Sequence, residues 1–117
     1  MPQPQLLTGF APLADRHDAF ILDQWGVLHD GIRPYPGVLE TLDRLHRRGK
    51  KIVLLSNSGR RAEFSARQLA KRGFDLSQFN AVVTSGETGW LGFRDRAEPP
   101  FTAFGHRCLL VTRDGDR

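Results

Sequence analysis

Three short, unbroken apolar runs, each ending on polar residues, constrain this 117-residue chain more than any other feature. They are Ala19-Phe20-Ile21-Leu22, Ile52-Val53-Leu54-Leu55 and Ala81-Val82-Val83. None alternates apolar with polar, so each suits a strand buried on both faces. Helical patterns fill the intervals. After Pro36, which the first turn of a helix tolerates, Val38, Leu39, Leu42, Leu45 and His46 follow helical spacing while Glu40, Asp43, Arg44 and Arg47 face away. Gly49 is placed to end that helix. A second helix is expected over residues 60–72, opened by Ser58-Gly59, lined by Ala62, Ala66, Leu69 and Ala70, and closed by Gly73. A short third one is expected over residues 87–93, weakened by Gly89 and Gly92 by roughly 1 kcal/mol each relative to Ala. Residues 6–13 are expected to hold a helical turn, and Cys108 to Thr112 a fourth strand beyond the Pro99-Pro100 break. Strands that alternate with helices imply an α/β fold with a parallel sheet and right-handed crossovers.

Composition narrows the rest. At 39% hydrophobic and 26% charged residues the chain has globular rather than disordered character. No apolar run approaches the ~18–20 residues of a membrane span, and the N-terminus lacks the basic start and apolar stretch of a secretory signal. The single cysteine, Cys108, excludes an internal disulfide and the commonest zinc clusters. A cytoplasmic address is the simplest reading. Charge is uneven: between Arg44 and Arg72 stand ten basic residues against Glu63 alone. Such a block suits nucleic acid, but it holds one aromatic residue, Phe64, so stacking on bases has little support. Solvated faces of two helices are the preferred explanation.

In open α/β sheets ligands bind beyond the carboxyl ends of the strands. Here those ends carry Asp23, Ser56-Asn57-Ser58-Gly59 and Thr84-Ser85-Gly86, which parallel strands gather on one edge. A carboxylate straight after four apolar residues is costly unless it binds a cation, accepts hydrogen bonds or reacts. Asp23 is therefore a candidate nucleophile toward a phosphoryl group or a Mg²⁺ ligand; the competing reading is a turn-capping Asp. The Ser56-to-Gly59 segment precedes a helix N-terminus, where free N–H groups and the helix dipole favour a phosphate; ordinary capping by Ser58 is the alternative. No Walker-type or dinucleotide-type glycine motif is present, nor a G-x-S-x-G elbow. The four histidines, His17, His29, His46 and His106, lack paired metal-ligand spacing.

The segment Phe20-Ile-Leu-Asp-Gln-Trp-Gly-Val-Leu-His-Asp-Gly31 resembles the first motif of the haloacid dehalogenase (HAD) superfamily, and Leu54-Leu-Ser-Asn-Ser-Gly59 resembles the second. Asp23 and Ser56 lie 33 positions apart with a flap turn and a helix between. Val82-Val-Thr-Ser-Gly-Glu87 is similar to the next strand end in the NagD-like class, class IIA. The resemblance implies a Rossmann-like core and a Mg²⁺-dependent phosphatase acting on a small phosphate ester through an aspartyl-phosphate. By that likeness Asp23 is nucleophile and metal ligand, the backbone carbonyl of Trp25 is a second metal ligand, Ser56 and Asn57 hold the phosphate, and Gly26 permits the tight turn after the strand.

Two departures bear on the chemistry. Most of the family's phosphatases carry a second Asp two residues after the nucleophile, as general acid/base; Trp25 stands there, and an indole cannot exchange a proton at neutral pH. The sequence resembles a subgroup with the pattern Asp-x-Trp-Gly-Val-Leu. His29 or Asp30, in the flap, are candidate substitutes. The family also uses a later Lys and an acidic metal pair. Lys50 and Lys51 enter the second strand at its amino end and Lys71 ends a helix, so none fits, and Asp114-Gly-Asp116 reads as a hairpin turn. The organisation expected is a lead-in over residues 1–18, the N-terminal part of a HAD-like core over 19–98 and the start of a cap over 99–117. An incomplete sheet would leave an uncovered apolar edge and face, with marginal stability or partner-dependent folding, including self-association. The rival readings are a non-catalytic HAD-like binding module and a basic nucleic-acid-binding domain.

Overall fold

The three apolar runs become strands: Ala19–Leu22 (β1), Lys51–Ser56 (β2) and Ala81–Thr84 (β3). A computed structural model describes residues 3–111 of the chain. Its helices are Ala11–Arg16 (α1), Val38–Arg47 (α2), Ala62–Lys71 (α3) and Ser85–Asp95 (α4), with single 3₁₀ turns at Leu76–Gln78 and Phe101–Ala103. Among the described residues the sheet is parallel, in the order β1-β2-β3. The register sets Phe20 beside Ile52, Leu22 beside Leu54, Leu54 beside Val82 and Ser56 beside Thr84. All three strands thus stop at one edge, with Asp23, Asn57 and Ser85 immediately beyond it.

The core lies on one face of that sheet. Phe20, Ile52 and Leu54 pack with Leu42 and Leu45 of α2, Leu69 of α3, and Ala14, Leu28 and Phe74. Successive crossovers of the same hand, stepping in the same direction across the sheet, deliver α2 and α3 to the same side. The opposite face is open: Ile21 is 70% exposed and Leu55 50%. Among the described residues the strands are thus covered on one face only, which departs from runs buried on both faces and matches the uncovered face expected of an incomplete sheet. An unbroken apolar run shows that both faces are apolar, but not that this segment supplies the cover for both.

Local differences have local causes. α1 begins at Ala11, later than expected, because Pro12 occupies its first turn and Phe10 packs against Phe20 with ring centroids 5.1 Å apart. Gly37, at φ 79°, caps α2, so Pro36 sits just before the helix rather than in its first turn. His46 lies on the solvent side of α2, and Ala70 on that of α3, where Ser65 is buried with Leu69 instead. α4 runs longer than expected despite Gly89 and Gly92. Gly92 is a packing device, since a Cβ there would fall 2.3 Å from the Phe101 ring. The fourth strand is not formed over Cys108–Val111, whose Leu109, Leu110 and Val111 are largely exposed; an apolar run becomes a strand only when another strand pairs with it. Thr112 and the Asp114-Gly-Asp116 turn lie outside the described residues.

Candidate active site

Beyond the carboxyl edge of the sheet lies a cavity of about 310 Å³. β1 supplies its first wall through Asp23, Gln24 and Trp25, with His29 from the flap that follows. β2 supplies Ser56, Asn57 and Ser58, and α3 presents Phe64, Ser65, Gln68 and Arg72. A larger groove of about 490 Å³ runs between α1 and α2. Its lining, including Phe10, Ala14, Leu45 and three arginines, holds no carboxylate or histidine, and its one hydroxyl, on Thr41, donates to the Gly37 carbonyl, so the chemistry selects the smaller cavity.

Asp23 is exposed, and its Oδ1 accepts the Gln24 N–H at 2.7 Å. The flap is wound on the Gln24 carbonyl, which accepts N–H groups from Val27, Leu28 and His29 at 3.2, 2.8 and 3.3 Å. Gly26 turns the chain at φ 77° and donates to the His29 carbonyl at 2.9 Å. Ser56 is buried, and its hydroxyl accepts the Ser58 N–H at 3.2 Å. Asn57 is exposed at the loop crest. The cavity therefore brings together Asp23, Trp25, Ser56 and Asn57, while Gly26 stays behind them in the turn.

The flap residues divide. His29 is almost fully buried. Its Nδ1 accepts the Gly31 N–H at 2.9 Å, leaving Nε2 to carry the proton of the neutral ring. Trp25 and Phe74 flank it edge-on. Burial, reinforced by the Arg72 guanidinium, pulls its pKa below the usual imidazole value against the opposing charges of Asp30 and Asp23. Arg72 also pins the flap, its Nε donating to the Gly31 carbonyl at 2.9 Å. Asp30 is a turn former: its Oδ1 accepts the Ile32 and Arg33 N–H groups at 2.8 and 2.7 Å. The Arg33 N–H, then that of Ile32, holds this carboxylate below its ordinary pKa. Trp25 fills a structural place, since a Cβ on Gly31 would fall 2.4 Å from its ring.

Ser58 does not cap α3. That helix starts at Ala62 with Arg61 at its N-cap position and no side-chain bond from Arg61 itself. The cap comes from α4: Glu87 Oε2 accepts the Ala62 N–H at 3.0 Å, and the same carboxylate grips Arg61 through two bonds of 2.6 and 2.9 Å. Sequence reasoning missed Glu87, although Thr84-Ser-Gly-Glu87 has the spacing of a capping box. Half of that box is made, Thr84 Oγ1 accepting the Glu87 N–H at 3.0 Å. The Glu side chain reaches across to α3 instead of back to its own helix start. Gln24, Gln68 and Arg72 were also missed; their only signal was position, next to the nucleophile or on one side of α3.

As a metal site, the chain offers the Asp23 carboxylate and the Trp25 carbonyl. Among the described residues no backbone N–H donates to that carbonyl, and no cluster of three or more His, Cys, Asp or Glu is present. Two oxygen donors fit Mg²⁺, which usually keeps several waters and shares its shell with substrate phosphate. They do not make a closed protein cage.

Comparison with known proteins bears on the family and the fold. The family model for haloacid dehalogenase-like hydrolases matches residues 20–117. A 4-nitrophenylphosphatase from Schizosaccharomyces pombe is 43% identical over 44 residues, covering 38% of this chain and 15% of that protein. The solved structure of a haloacid dehalogenase-like hydrolase from Brucella suis superposes with a TM-score of 0.63 at 33% identity, over 71% of this chain and 32% of that one. A hypothetical protein from Pyrococcus horikoshii gives 0.58 at 34% identity, over the same shares. The chain thus spans less than a third of the length of each relative, and over that span its parallel sheet is the incomplete Rossmann-like sheet of its neighbours. With the family model covering most of its length, the chain belongs to the haloacid dehalogenase-like hydrolases.

Proposed function

We propose that this chain carries the nucleophile and phosphate loop of a Mg²⁺-dependent phosphatase for a small phosphorylated substrate, working in the cytoplasm. One observation carries the reading: in a chain of this family, Asp23 from β1 and Ser56 and Asn57 from β2 line one cavity. Oδ1 of Asp23 is engaged by the Gln24 N–H, which leaves Oδ2 to attack phosphorus. A bond forms from Oδ2 to phosphorus as the ester oxygen leaves with its electron pair. Ser56 and Asn57 orient the phosphoryl oxygens, and water then cleaves the aspartyl-phosphate, returning Asp23 and releasing phosphate. Mg²⁺, held by the Asp23 carboxylate and the Trp25 carbonyl, would offset the charge that develops on the transferring group.

The departing oxygen needs a proton that Trp25 cannot give. His29 is the better candidate of the two flap residues, because it lines the cavity; the imidazolium is the form that would give the proton, and burial makes that form scarcer as pH rises. Asp30 spends its carboxylate on the flap turn. His29→Ala is expected to slow phosphate-ester hydrolysis by about 10²-fold or more, and Asp30→Asn to leave the rate within a few-fold. Steady-state assays of both variants check this, and an undiminished rate in His29→Ala would remove His29 from the mechanism.

Placement of charge supports a small substrate over nucleic acid. Within the basic block, Arg44, Arg47, Arg48, Lys50 and Arg61 are ion-paired with Glu40, Asp43, Asp15, Asp18 and Glu87, all outside it. Folding thus spreads acids among cations that the sequence sets apart. No helix among the described residues is long and apolar enough to cross a membrane.

A further inference from the structure

The loop that follows Ser56 and Asn57 is held along its whole length by the junction of β3 with α4. The Gly86 N–H donates to the Ser58 carbonyl at 3.0 Å. Gly86 also lies against Gly59 so closely that a Cβ there would fall 2.0 Å from the Gly59 carbonyl oxygen. Thr84, fully buried, donates from Oγ1 to the Arg60 carbonyl at 2.7 Å while accepting the Glu87 N–H. Glu87 then takes the Arg61 guanidinium and the Ala62 N–H, and Arg61 lies over the Trp90 ring, 3.7 Å from its centroid. Five consecutive residues, 58 to 62, are therefore fixed by three residues of another strand end.

This arrangement is more than a helix cap. The contacts reach carbonyls, an N–H and a side chain in turn, so they leave the loop one backbone path between β2 and α3. A loop carrying phosphate-binding groups gains affinity when its bound shape is fixed beforehand, because less ordering remains to be done on binding. Loops usually carry such groups on a rigid scaffold; here the scaffold comes from a neighbouring strand rather than from the loop's own helix.

We infer that Thr84, Gly86 and Glu87 are positioning residues, which set how firmly Ser56 and Asn57 hold phosphate without touching it. This rests on the phosphate reading of the cavity, and the test separates the two. The ¹⁵N-labelled 117-residue chain is titrated with inorganic phosphate, and amide hydrogen exchange is measured over residues 57–62, with urea midpoints recorded for every variant. Thr84→Val and Glu87→Ala are expected to speed exchange in the loop, and to weaken phosphate binding, each on the order of tenfold. Thr84→Ser, which keeps the hydroxyl, is expected to restore both. Glu87→Ala, at the partly exposed end of the clamp, gives the second route should Thr84→Val fail to fold. Unchanged loop exchange in the variants would overturn the clamp. Faster exchange with unchanged phosphate affinity would overturn the positioning role. Faster exchange in a chain that binds no phosphate even unmutated would overturn the phosphate reading while leaving the clamp in place.

Discussion

Asp23→Asn is expected to reduce phosphate-ester hydrolysis by at least about 10⁴-fold, the scale of loss when a nucleophile acting with its partners is removed. The amide keeps the size of the side chain and an oxygen for the Gln24 N–H, so the flap wound on the Gln24 carbonyl has no reason to move. What is lost is the nucleophilic oxygen and the negative charge that would hold Mg²⁺. The loss should therefore appear in kcat rather than in the urea midpoint, and Asp23 itself is exposed and outside the core. Steady-state kinetics beside a denaturation curve make that separation. A variant that keeps full turnover would place the nucleophile elsewhere.

The second large effect concerns the core. Leu54 is fully buried in the middle strand and paired in register with both neighbours, Leu22 and Val82. Leu54→Ala is expected to cost about 2–5 kcal/mol. That is a large part of the ~5–15 kcal/mol that holds a domain together. In a chain whose sheet has one covered face, it should leave little folded protein. Ile21→Ala, on the open face, should change stability by only about 0.5 kcal/mol. Urea or thermal unfolding of both variants reads the difference, and equal losses would contradict a one-sided core. The open face around Ile21 and Leu55 is the uncovered apolar face expected of an incomplete sheet. Large exposed apolar patches mark places where another surface packs.

What could be read from the sequence followed the strength of local signals. The strands were legible because an apolar run that stops on Asp23, Ser56 or Thr84 leaves few alternatives. Parallel order followed from the intervening helices, and the gathering of the strand ends followed from parallel order. That one face would stay open followed only from the family likeness, as the mark of an incomplete sheet; which face it is was not legible, because the side the helices take is a property of crossover hand and strand order, not of composition. Nor was the false fourth strand at Cys108–Val111, since an apolar run carries no record of whether a partner strand exists. At the site, Asp23, Ser56 and Asn57 could be named from motif and position. Glu87 and Arg72 could not: their roles come from contacts 25 and 41 positions away, at Ala62 and Gly31. His29 and Asp30 looked equivalent in sequence, and only burial and hydrogen bonding separate them.

The central claim is that Asp23 is phosphorylated during turnover. It is tested most directly by mixing the protein with 4-nitrophenyl phosphate and Mg²⁺, quenching in acid within one turnover, and mapping the phosphoryl group by peptide mass spectrometry. The prediction is a single phosphoryl adduct on the peptide carrying Asp23, absent from Asp23→Asn. Nitrophenol release with no adduct on that peptide, or with the adduct on another residue, would contradict the account.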